Sequence, residues 1–182
     1  TSITRKLYGW KILWWSCWKF KKVDSSLDTT PLKTSEQHVA STGEILKKEN
    51  ILVNLPSESK EEAIRRAGGL LQSLGYVNSN YTNGMLAREK VHTTYLDNEV
   101  AIPHGVEEVK HEVIKAGIVV LLYPNGIDYG DGNIAKLLIG IAAQNNEHID
   151  VISKLAIIID DEQKIADLIS SNDVETVYGY LK

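Results

Sequence analysis

The pattern of hydrophobic and polar positions becomes that of a folded domain from Glu44 onward, and its clearest element is an amphipathic helix. Ser59 and Glu62 have the spacing of a capping box, in which each side chain binds the other residue's backbone N–H group. Gly75 supplies a stop signal at the far end. Between these signals, the residues that recur at helical spacing are Ala63, Ile64, Ala67, Leu70, Leu71 and Leu74.

Four more helices are predicted along the chain. One covers about residues 81–90. Its inward-facing residues are Tyr81, Met85 and Leu86. Another begins at Asn145 or Asn146, either of which can cap a helix, and two short helices follow near 161–170 and 173–181. The apolar stripe of the helix that begins at 145 or 146 consists of Ile149, Ile152, Leu155, Ala156 and Ile159.

Four runs have strand character: 51–55, 99–102, 116–123 and 134–143. The run at 116–123 is continuously apolar and rich in β-branched residues, which is typical of a strand covered on both faces. The run at 134–143 is ambiguous, and its Ile and Leu content without a polar face favours a buried strand over a helix. Residues 124–133 are turn-forming throughout and predict a turn. Strands mixed with helices of this length predict an α/β domain whose sheet has helices on both faces.

Length and charge narrow the class of protein. At 182 residues the chain has room for one domain and an appendage. Its 20 basic and 24 acidic residues give a net charge of −4, but residues 1–22 hold six basic residues and no acidic one. The remaining 160 residues therefore carry −10, which argues against a nucleic-acid partner. The single cysteine, Cys17, excludes an internal disulfide and a Cys-based zinc site, and it fits a reducing, cytoplasmic location.

The first 43 residues are predicted to lie outside the domain, which spans 44–182. Residues 1–22 are basic and hold all four tryptophans and the only phenylalanine. Their apolar run is too short to span a bilayer, and no signal-peptide cleavage site follows it. A linker remnant or the tail of a larger chain is favoured over a segment that lies on a membrane surface. Residues 23–43 are rich in Ser, Thr and Asp and predict a flexible linker.

The chain has no Gly-rich phosphate loop, no His-Glu-x-x-His zinc motif and no Gly-x-Ser-x-Gly nucleophile elbow. Candidate chemistry therefore falls to the histidines, which are His38, His92, His104, His111 and His148. His38 lies in the linker, and His111 lies in a charged stretch that predicts a solvated surface position. His104 follows an apolar strand, where Pro103 restricts the backbone and Gly105 permits a sharp turn. It is either a reactive imidazole on a rigid platform or a well-satisfied turn histidine.

His148 and Arg88 are the other two candidates. His148 falls in the first turn of a predicted helix, where N–H groups favour a bound anion, although a capping role also fits. Arg88 lies on the helix at 81–90, and its alternative role is a surface ion pair with a nearby glutamate. Two imidazoles and one guanidinium suit a phosphorylated histidine, because one imidazole attacks phosphorus while the other two groups bind phosphoryl oxygens. The alternative use of the two histidines is zinc-dependent hydrolysis, but the sequence offers no third ligand for the zinc ion.

Three strings carry a resemblance to a known family: KEEAIRRAG at 60–68, MLAREKVHTTYLDNEVAIPHG at 85–105 and LLIGIAAQNNEHIDVI at 137–152. They resemble the IIA component of the bacterial phosphoenolpyruvate-dependent sugar phosphotransferase system, in its mannitol/fructose class and most of all in its mannitol-specific branch. The resemblance covers residues 46–182. It implies a three-layer α-β-α domain with a mixed, parallel and antiparallel, central sheet.

The resemblance also implies the chemistry. His104 matches the histidine that accepts a phosphoryl group from the phosphohistidine of the carrier protein HPr. His148 matches the second active-site histidine, and Arg88 matches the phosphate-facing arginine. The phosphoryl group then passes to a cysteine of the IIB component of a IICB membrane permease, which drives uptake and phosphorylation of mannitol or a related sugar. The expected protein is a cytoplasmic phosphotransferase that uses no metal or cofactor and meets the membrane only through the permease.

Two features depart from the family pattern. Some members have a glutamate shortly before the active histidine, and here Asp97 and Glu99 lie in that neighbourhood without an assigned match. Cys17 lacks the Gly-rich loop that follows a IIB nucleophile, so it is not interpreted as one. An alternative function is a regulatory IIA-like module, phosphorylated on the same histidine, that signals by binding other proteins.

Overall fold

The computed structural model describes residues 45–144, Leu155, Ile159 and residues 161–181. The helices of this part are α1 (Lys60–Ser73), α2 (Tyr81–Val91), α3 (Glu162–Ser170) and α4 (Val174–Leu181). Its strands are β1 (Ile51–Leu52), β2 (Val100–Ala101), β3 (Gly117–Gly130) and β4 (Asn133–Ala142). Short 3-10 helices cover Lys48–Asn50 and Glu107–Glu112.

The strands form one mixed sheet in the order β1-β3-β4-β2. β1 runs parallel to β3, β2 runs parallel to β4, and β3 and β4 form an antiparallel hairpin. The two longest strands therefore lie in the middle of the sheet, and the two short strands lie at its edges. The predicted mixed sheet is confirmed.

Side chains of β3 alternate between two separate hydrophobic cores. Ile118, Val120 and Leu122 lie in the core that includes buried residues of α3 and α4, together with Leu155 and Ile159. Val119, Leu121 and Tyr123 lie in the core that includes buried residues of α1 and α2. A strand buried on both faces has no position for a polar side chain, which explains the unbroken apolar run in the sequence. The three-layer prediction, with helices on both faces of the sheet, is confirmed.

Local sequence signals account for the start and end of α1. The Ser59 hydroxyl accepts a hydrogen bond from the Glu62 backbone N–H at 3.2 Å, and the Ser59 N–H donates to the Glu62 carboxylate at 2.9 Å. Gly75 has φ +72°, a left-handed conformation that only glycine adopts without strain, and it stands just beyond the helix. The predicted capping box is confirmed. The predicted helices near 81–90, 161–170 and 173–181 are confirmed as α2, α3 and α4.

The prediction of a continuous turn over 124–133 is wrong. β3 continues to Gly130, and the hairpin turn consists of Asp131 and Gly132, both of which have positive φ. The register of the hairpin shifts between Leu122 and Ile127, so the turn-forming residues produce an irregularity within the strand pair. The strand persists because side chains beyond the irregularity are buried against α1 and α2, namely Ile127 and Tyr129. The strands predicted at 51–55 and 99–102 are each shortened to two residues.

Several predictions fall outside the described residues. They concern the segments 1–22 and 23–43, and also the start of the helix at Asn145 or Asn146, which includes His148. Two residues of the apolar stripe predicted for that helix, Leu155 and Ile159, are helical and buried. Among the described helices, none has both the length and the apolar character needed to cross a membrane.

Candidate functional site

The chain segment that carries His104 runs beside the end of β4. After the edge strand β2, the carbonyl oxygen of Pro103 accepts a hydrogen bond from the N–H group of Ile141 at 3.0 Å. His104 then forms an isolated parallel bridge with Ile141. Proline has no N–H group, so its carbonyl carries the pairing while the ring holds φ. His104 is half-buried, and its backbone is fixed to β4, one of the two central strands of the sheet.

The environment of His104 selects one tautomer of its neutral ring. Nδ1 lies 2.8 Å from the carbonyl oxygen of Ile102. A carbonyl oxygen only accepts hydrogen bonds, so Nδ1 carries the proton and donates it. The lone pair of the neutral imidazole is then on Nε2, which gives that nitrogen its nucleophilic character.

Arg88 lies in the last turn of α2. Its Nη1 donates a hydrogen bond to the carbonyl oxygen of His92 at 2.8 Å, just beyond the end of the helix. The last carbonyl groups of a helix have no partner within it, and a cation there also interacts favourably with the helix dipole. No carboxylate of the described residues pairs with Arg88, so the structure does not support the surface ion pair that the sequence left open.

His104 and Arg88 line the same open cleft, whose volume is about 490 Å³. His92 and Val91 from the end of α2 line it as well, as do Tyr81 and Gly105. Lys110 adds a second basic residue to the wall of the cleft, and Glu107 and Glu108 add acidic ones. The structure thus brings together two of the three predicted site residues, and the third, His148, lies outside the described part of the chain.

Three other residues raised by the sequence, Asp97, Glu99 and His111, do not line the cleft. Glu99 pairs with Lys136 at 2.8 Å, and neither Glu99 nor Asp97 lines the cleft. The exposed ring of His111 lies 3.2 Å from the Glu112 carboxylate, so its predicted surface position is confirmed. Within residues 45–144, 155, 159 and 161–181, no three His, Cys, Asp or Glu side chains are grouped to hold a metal ion.

The family model for the phosphoenolpyruvate-dependent sugar phosphotransferase system, EIIA 2, matches residues 44–182. The chain belongs to this family. It is 47% identical over 132 residues to the mannitol-specific phosphotransferase enzyme IIA component of Bacillus subtilis, covering 72% of this chain and 92% of that protein. It is also 47% identical over 138 residues to the mannitol-specific EIICBA component of Vibrio cholerae, covering 75% of this chain and 21% of that protein.

A solved structure of a complex from Escherichia coli contains a similar fold. It holds enzyme IIA of the mannitol system together with phosphorylated enzyme IIB. The match has a TM-score of 0.72 and 45% sequence identity, and it covers 75% of this chain and 96% of that one. This chain is therefore similar to the IIA protein of that complex in sequence as well as in fold.

In this IIA domain, a buried glutamate next to Arg88 supports the end of α2. The Glu89 carboxylate accepts hydrogen bonds from the Thr94 N–H at 2.8 Å and the Thr94 hydroxyl at 2.6 Å, and it lies 3.3 Å from Nζ of Lys60. A buried charge needs such partners because its desolvation is costly. Glu89 therefore fixes the segment whose His92 carbonyl holds Arg88. Sequence reasoning missed Glu89, because a glutamate in a helix is ordinarily an exposed residue.

Sequence reasoning also missed the polar contacts of Tyr81 in this IIA domain, for which it predicted only an inward orientation. The buried Tyr81 hydroxyl donates to the Ile141 carbonyl oxygen at 2.8 Å and accepts from the Gly105 N–H at 3.1 Å. Burial raises the pKa of Tyr81 to about 12, so the hydroxyl keeps its proton at neutral pH. The only sequence signal is that a buried tyrosine requires a partner for its hydroxyl group.

Proposed function

We propose that this IIA domain accepts a phosphoryl group from phospho-HPr on His104 and passes it to the cysteine of a IIB component. The transfer drives the uptake and phosphorylation of mannitol. The observation that carries this proposal is the placement of His104 and Arg88 in one cleft, with Nδ1 of His104 directed to the Ile102 carbonyl. A nucleophilic imidazole beside a guanidinium is the arrangement that phosphoryl transfer through histidine requires.

The first step is an in-line attack of His104 on the phosphorus of phospho-HPr. The Nε2 lone pair forms the new P–N bond while the P–N bond to the HPr histidine breaks, and the electron pair of that bond returns to the HPr imidazole. The phosphorylated ring of His104 retains the proton on Nδ1. The Ile102 carbonyl, 2.8 Å away, stabilises that proton and holds the ring in its attacking orientation.

In the second step, Nε2 of His104 is the leaving group instead of the nucleophile. A IIB thiolate attacks the same phosphorus, the P–N bond breaks, and the electron pair returns to Nε2 of His104. Because the Nδ1 proton never leaves, the domain regains its starting tautomer with no proton to exchange. One orientation of the imidazole thus serves both half-reactions.

Arg88 binds the oxygens of the transferring phosphoryl group in this proposal. A guanidinium has five N–H donors in a planar fork, and Nη1 of Arg88 is committed to the His92 carbonyl. That bond fixes the plane of the fork before the partner arrives, which lowers the entropy lost on binding. His148 is proposed to donate a further hydrogen bond to a phosphoryl oxygen.

The identity of the sugar and of the partners is part of the same proposal. The similar proteins of B. subtilis and V. cholerae are both mannitol-specific, which favours transport over a regulatory IIA-like module. The V. cholerae protein joins the IIC, IIB and IIA components in one chain, which supports a IICB permease as the acceptor here. HPr as donor, and the lone cysteine of the chain, favour a cytoplasmic location.

Reconstitution tests the proposal. We would mix the protein with phosphoenolpyruvate, enzyme I, HPr and membranes that contain a mannitol IICB permease, and measure phosphorylated mannitol together with labelling of the protein. We expect an acid-labile, base-stable adduct that disappears in His104→Ala, and mannitol phosphorylation that depends on the wild-type protein. His111→Ala is the matched control, because that ring is exposed and lies outside the cleft.

Two results would contradict the proposal in different ways. Labelling that survives His104→Ala would move the nucleophile to another residue. Labelling on His104 without delivery to any IIB component would favour the regulatory module. A panel of other hexitols and hexoses in the same assay checks the sugar specificity.

A further inference from the structure

Tyr81 connects two parts of the chain that meet beside His104. It is the first residue of α2, and only 3% of its surface is exposed. Its hydroxyl donates to the carbonyl oxygen of Ile141 at 2.8 Å and accepts the N–H group of Gly105 at 3.1 Å. A hydroxyl has one proton and a carbonyl can only accept, so these two roles of the hydroxyl follow from its partners.

These bonds belong to a hydrogen-bond network that holds the backbone on both sides of His104. On one side of His104, the Pro103 carbonyl is held by the N–H group of Ile141 at 3.0 Å. On the other side, the Gly105 N–H is held by the Tyr81 hydroxyl, which is itself held by the carbonyl of the same Ile141. Both backbone neighbours of His104 are thus tied to one residue of β4, and Tyr81 completes one of the two ties.

Another backbone contact of this segment is longer. The Val106 N–H donates to the Gly84 carbonyl of α2 at 3.4 Å, a long hydrogen bond. The ring of Tyr81 also packs tightly here, since a β-carbon at position 105 would lie 2.7 Å from its Cε2 atom. Among the described residues, the hydrogen bond to the hydroxyl of Tyr81 is therefore the shorter of these two polar restraints on the C-terminal side of His104.

We infer that Tyr81 is a positioning residue for phosphoryl transfer, whose hydroxyl holds the His104 backbone so that the imidazole keeps its attacking geometry. The inference rests on the proposed function of His104. When a reaction depends on the alignment of its reacting atoms, a displacement of about 1 Å can lower the rate about 10²-fold.

Tyr81→Phe is the direct test, because it keeps the ring and removes only the hydroxyl. Tyr76→Phe is the matched control. Tyr76 is also 3% exposed, its hydroxyl bonds to Asn50 at 3.0 Å, and it does not line the cleft. Both variants lose one buried hydroxyl, so a general loss of stability affects both of them.

The measurement is the single-turnover rate of labelling by phospho-HPr over a range of phospho-HPr concentrations. For Tyr81→Phe we expect the maximal rate to fall about 10-fold, with the half-saturating concentration unchanged, because alignment is lost and docking is not. For Tyr76→Phe we expect the wild-type rate. A maximal rate within twofold of wild type in Tyr81→Phe, or an equal fall in Tyr76→Phe, would overturn the inference.

Hydrogen exchange of the Gly105 amide, measured by NMR, gives a readout that does not depend on transfer. We expect protection in the wild type and in Tyr76→Phe, and faster exchange with a shifted His104 ring signal in Tyr81→Phe. An unprotected Gly105 amide in the wild type would overturn the inference even if Tyr81→Phe failed to fold. A wild type that takes no phosphate would instead count against the proposed function, and the amide data would still decide whether Tyr81 holds the segment.

Discussion

Nη1 of Arg88 donates a hydrogen bond to the carbonyl oxygen of His92 at 2.8 Å, so the arginine is held by the end of its own helix. Carbonyl groups at the end of a helix have no intrahelical partner, and the carbonyl of His92, the first residue beyond α2, accepts from Arg88 instead. The contact holds the guanidinium at the wall of the cleft that also contains His104. The end of α2 therefore positions the side chain that is proposed to bind the phosphoryl oxygens.

Arg88→Lys is expected to slow phosphoryl transfer by roughly 10²-fold. Lysine keeps the positive charge but loses the planar fork, and removal of one transition-state donor costs about this much. The measurement is the single-turnover rate of both half-reactions, from phospho-HPr and to IIB. Arg65→Lys is the control, because Arg65 forms an exposed ion pair with Glu61 on α1. Equal rates for Arg88→Lys and the wild type would remove Arg88 from the site.

His148→Ala separates a catalytic role from a capping role. As a cap, His148 would contribute about 1 kcal/mol or less, and its loss would leave transfer intact. As a phosphoryl ligand, its loss is expected to spare the fold and slow transfer by roughly 10²- to 10³-fold. His148→Gln should recover part of the rate, because an amide donates a hydrogen bond without titrating. Thermal melts and single-turnover rates distinguish the two, and wild-type rates in His148→Ala would favour the cap.

Residues 1–43 are expected to be dispensable for phosphoryl transfer. The family match begins at residue 44, and none of the proposed site residues precedes it. A chain that begins at Thr42 should fold and accept phosphate from HPr at the rate of the full chain, as measured by single-turnover labelling. Loss of phosphate acceptance in a shortened chain that still shows a cooperative thermal melt would contradict this expectation.

The stability of the domain is expected to depend on pH through Glu58. Its carboxylate accepts from Nε and Nη2 of Arg66 at 2.7 and 2.8 Å and from the Tyr123 hydroxyl at 2.6 Å. The hydrogen bonds from Arg66, chiefly, hold the pKa of Glu58 below its ordinary value of 4.5. A lowered folded-state pKa adds stability above about pH 4.5, and this contribution disappears as the pH falls through the folded-state value.

Glu58→Gln should therefore lower the free energy of unfolding at pH 7 by about 1–2 kcal/mol, a range reduced for partial exposure to solvent. The deficit relative to wild type should shrink as the pH is lowered below 4.5, because the carboxyl group of the unfolded chain becomes protonated there and that of the folded protein at a lower pH. Urea unfolding at pH 7, 5 and 3.5 measures the difference in the free energy of unfolding between the variant and the wild type. Glu61→Gln, which removes an exposed partner of Arg65, serves as the control and should show a small difference at each pH. A deficit for Glu58→Gln that grows in acid would contradict the expected sign.

Elements whose signals are local could be predicted from the sequence alone. The Ser59–Glu62 capping box and the Gly75 stop act within a few residues, so the bounds of α1 could be predicted from spacing alone. The unbroken apolar run of the first half of β3 indicated burial on both faces, because a strand covered on both faces has no position for a polar side chain. The strings around Arg88, His104 and His148 carried the family resemblance, and the family match confirms it.

Features that depend on partners far along the chain could not be predicted before the fold was known. Turn-forming residues at 124–133 predicted a turn, but burial of Ile127 and Tyr129 beneath the helices outweighs their local preference and extends the strand. Tyr81 bonds to Gly105, 24 positions away, and to Ile141, 60 positions away. No periodicity within one element encodes such bonds, because the fold alone brings the end of β4, the start of α2 and the His104 segment to one point.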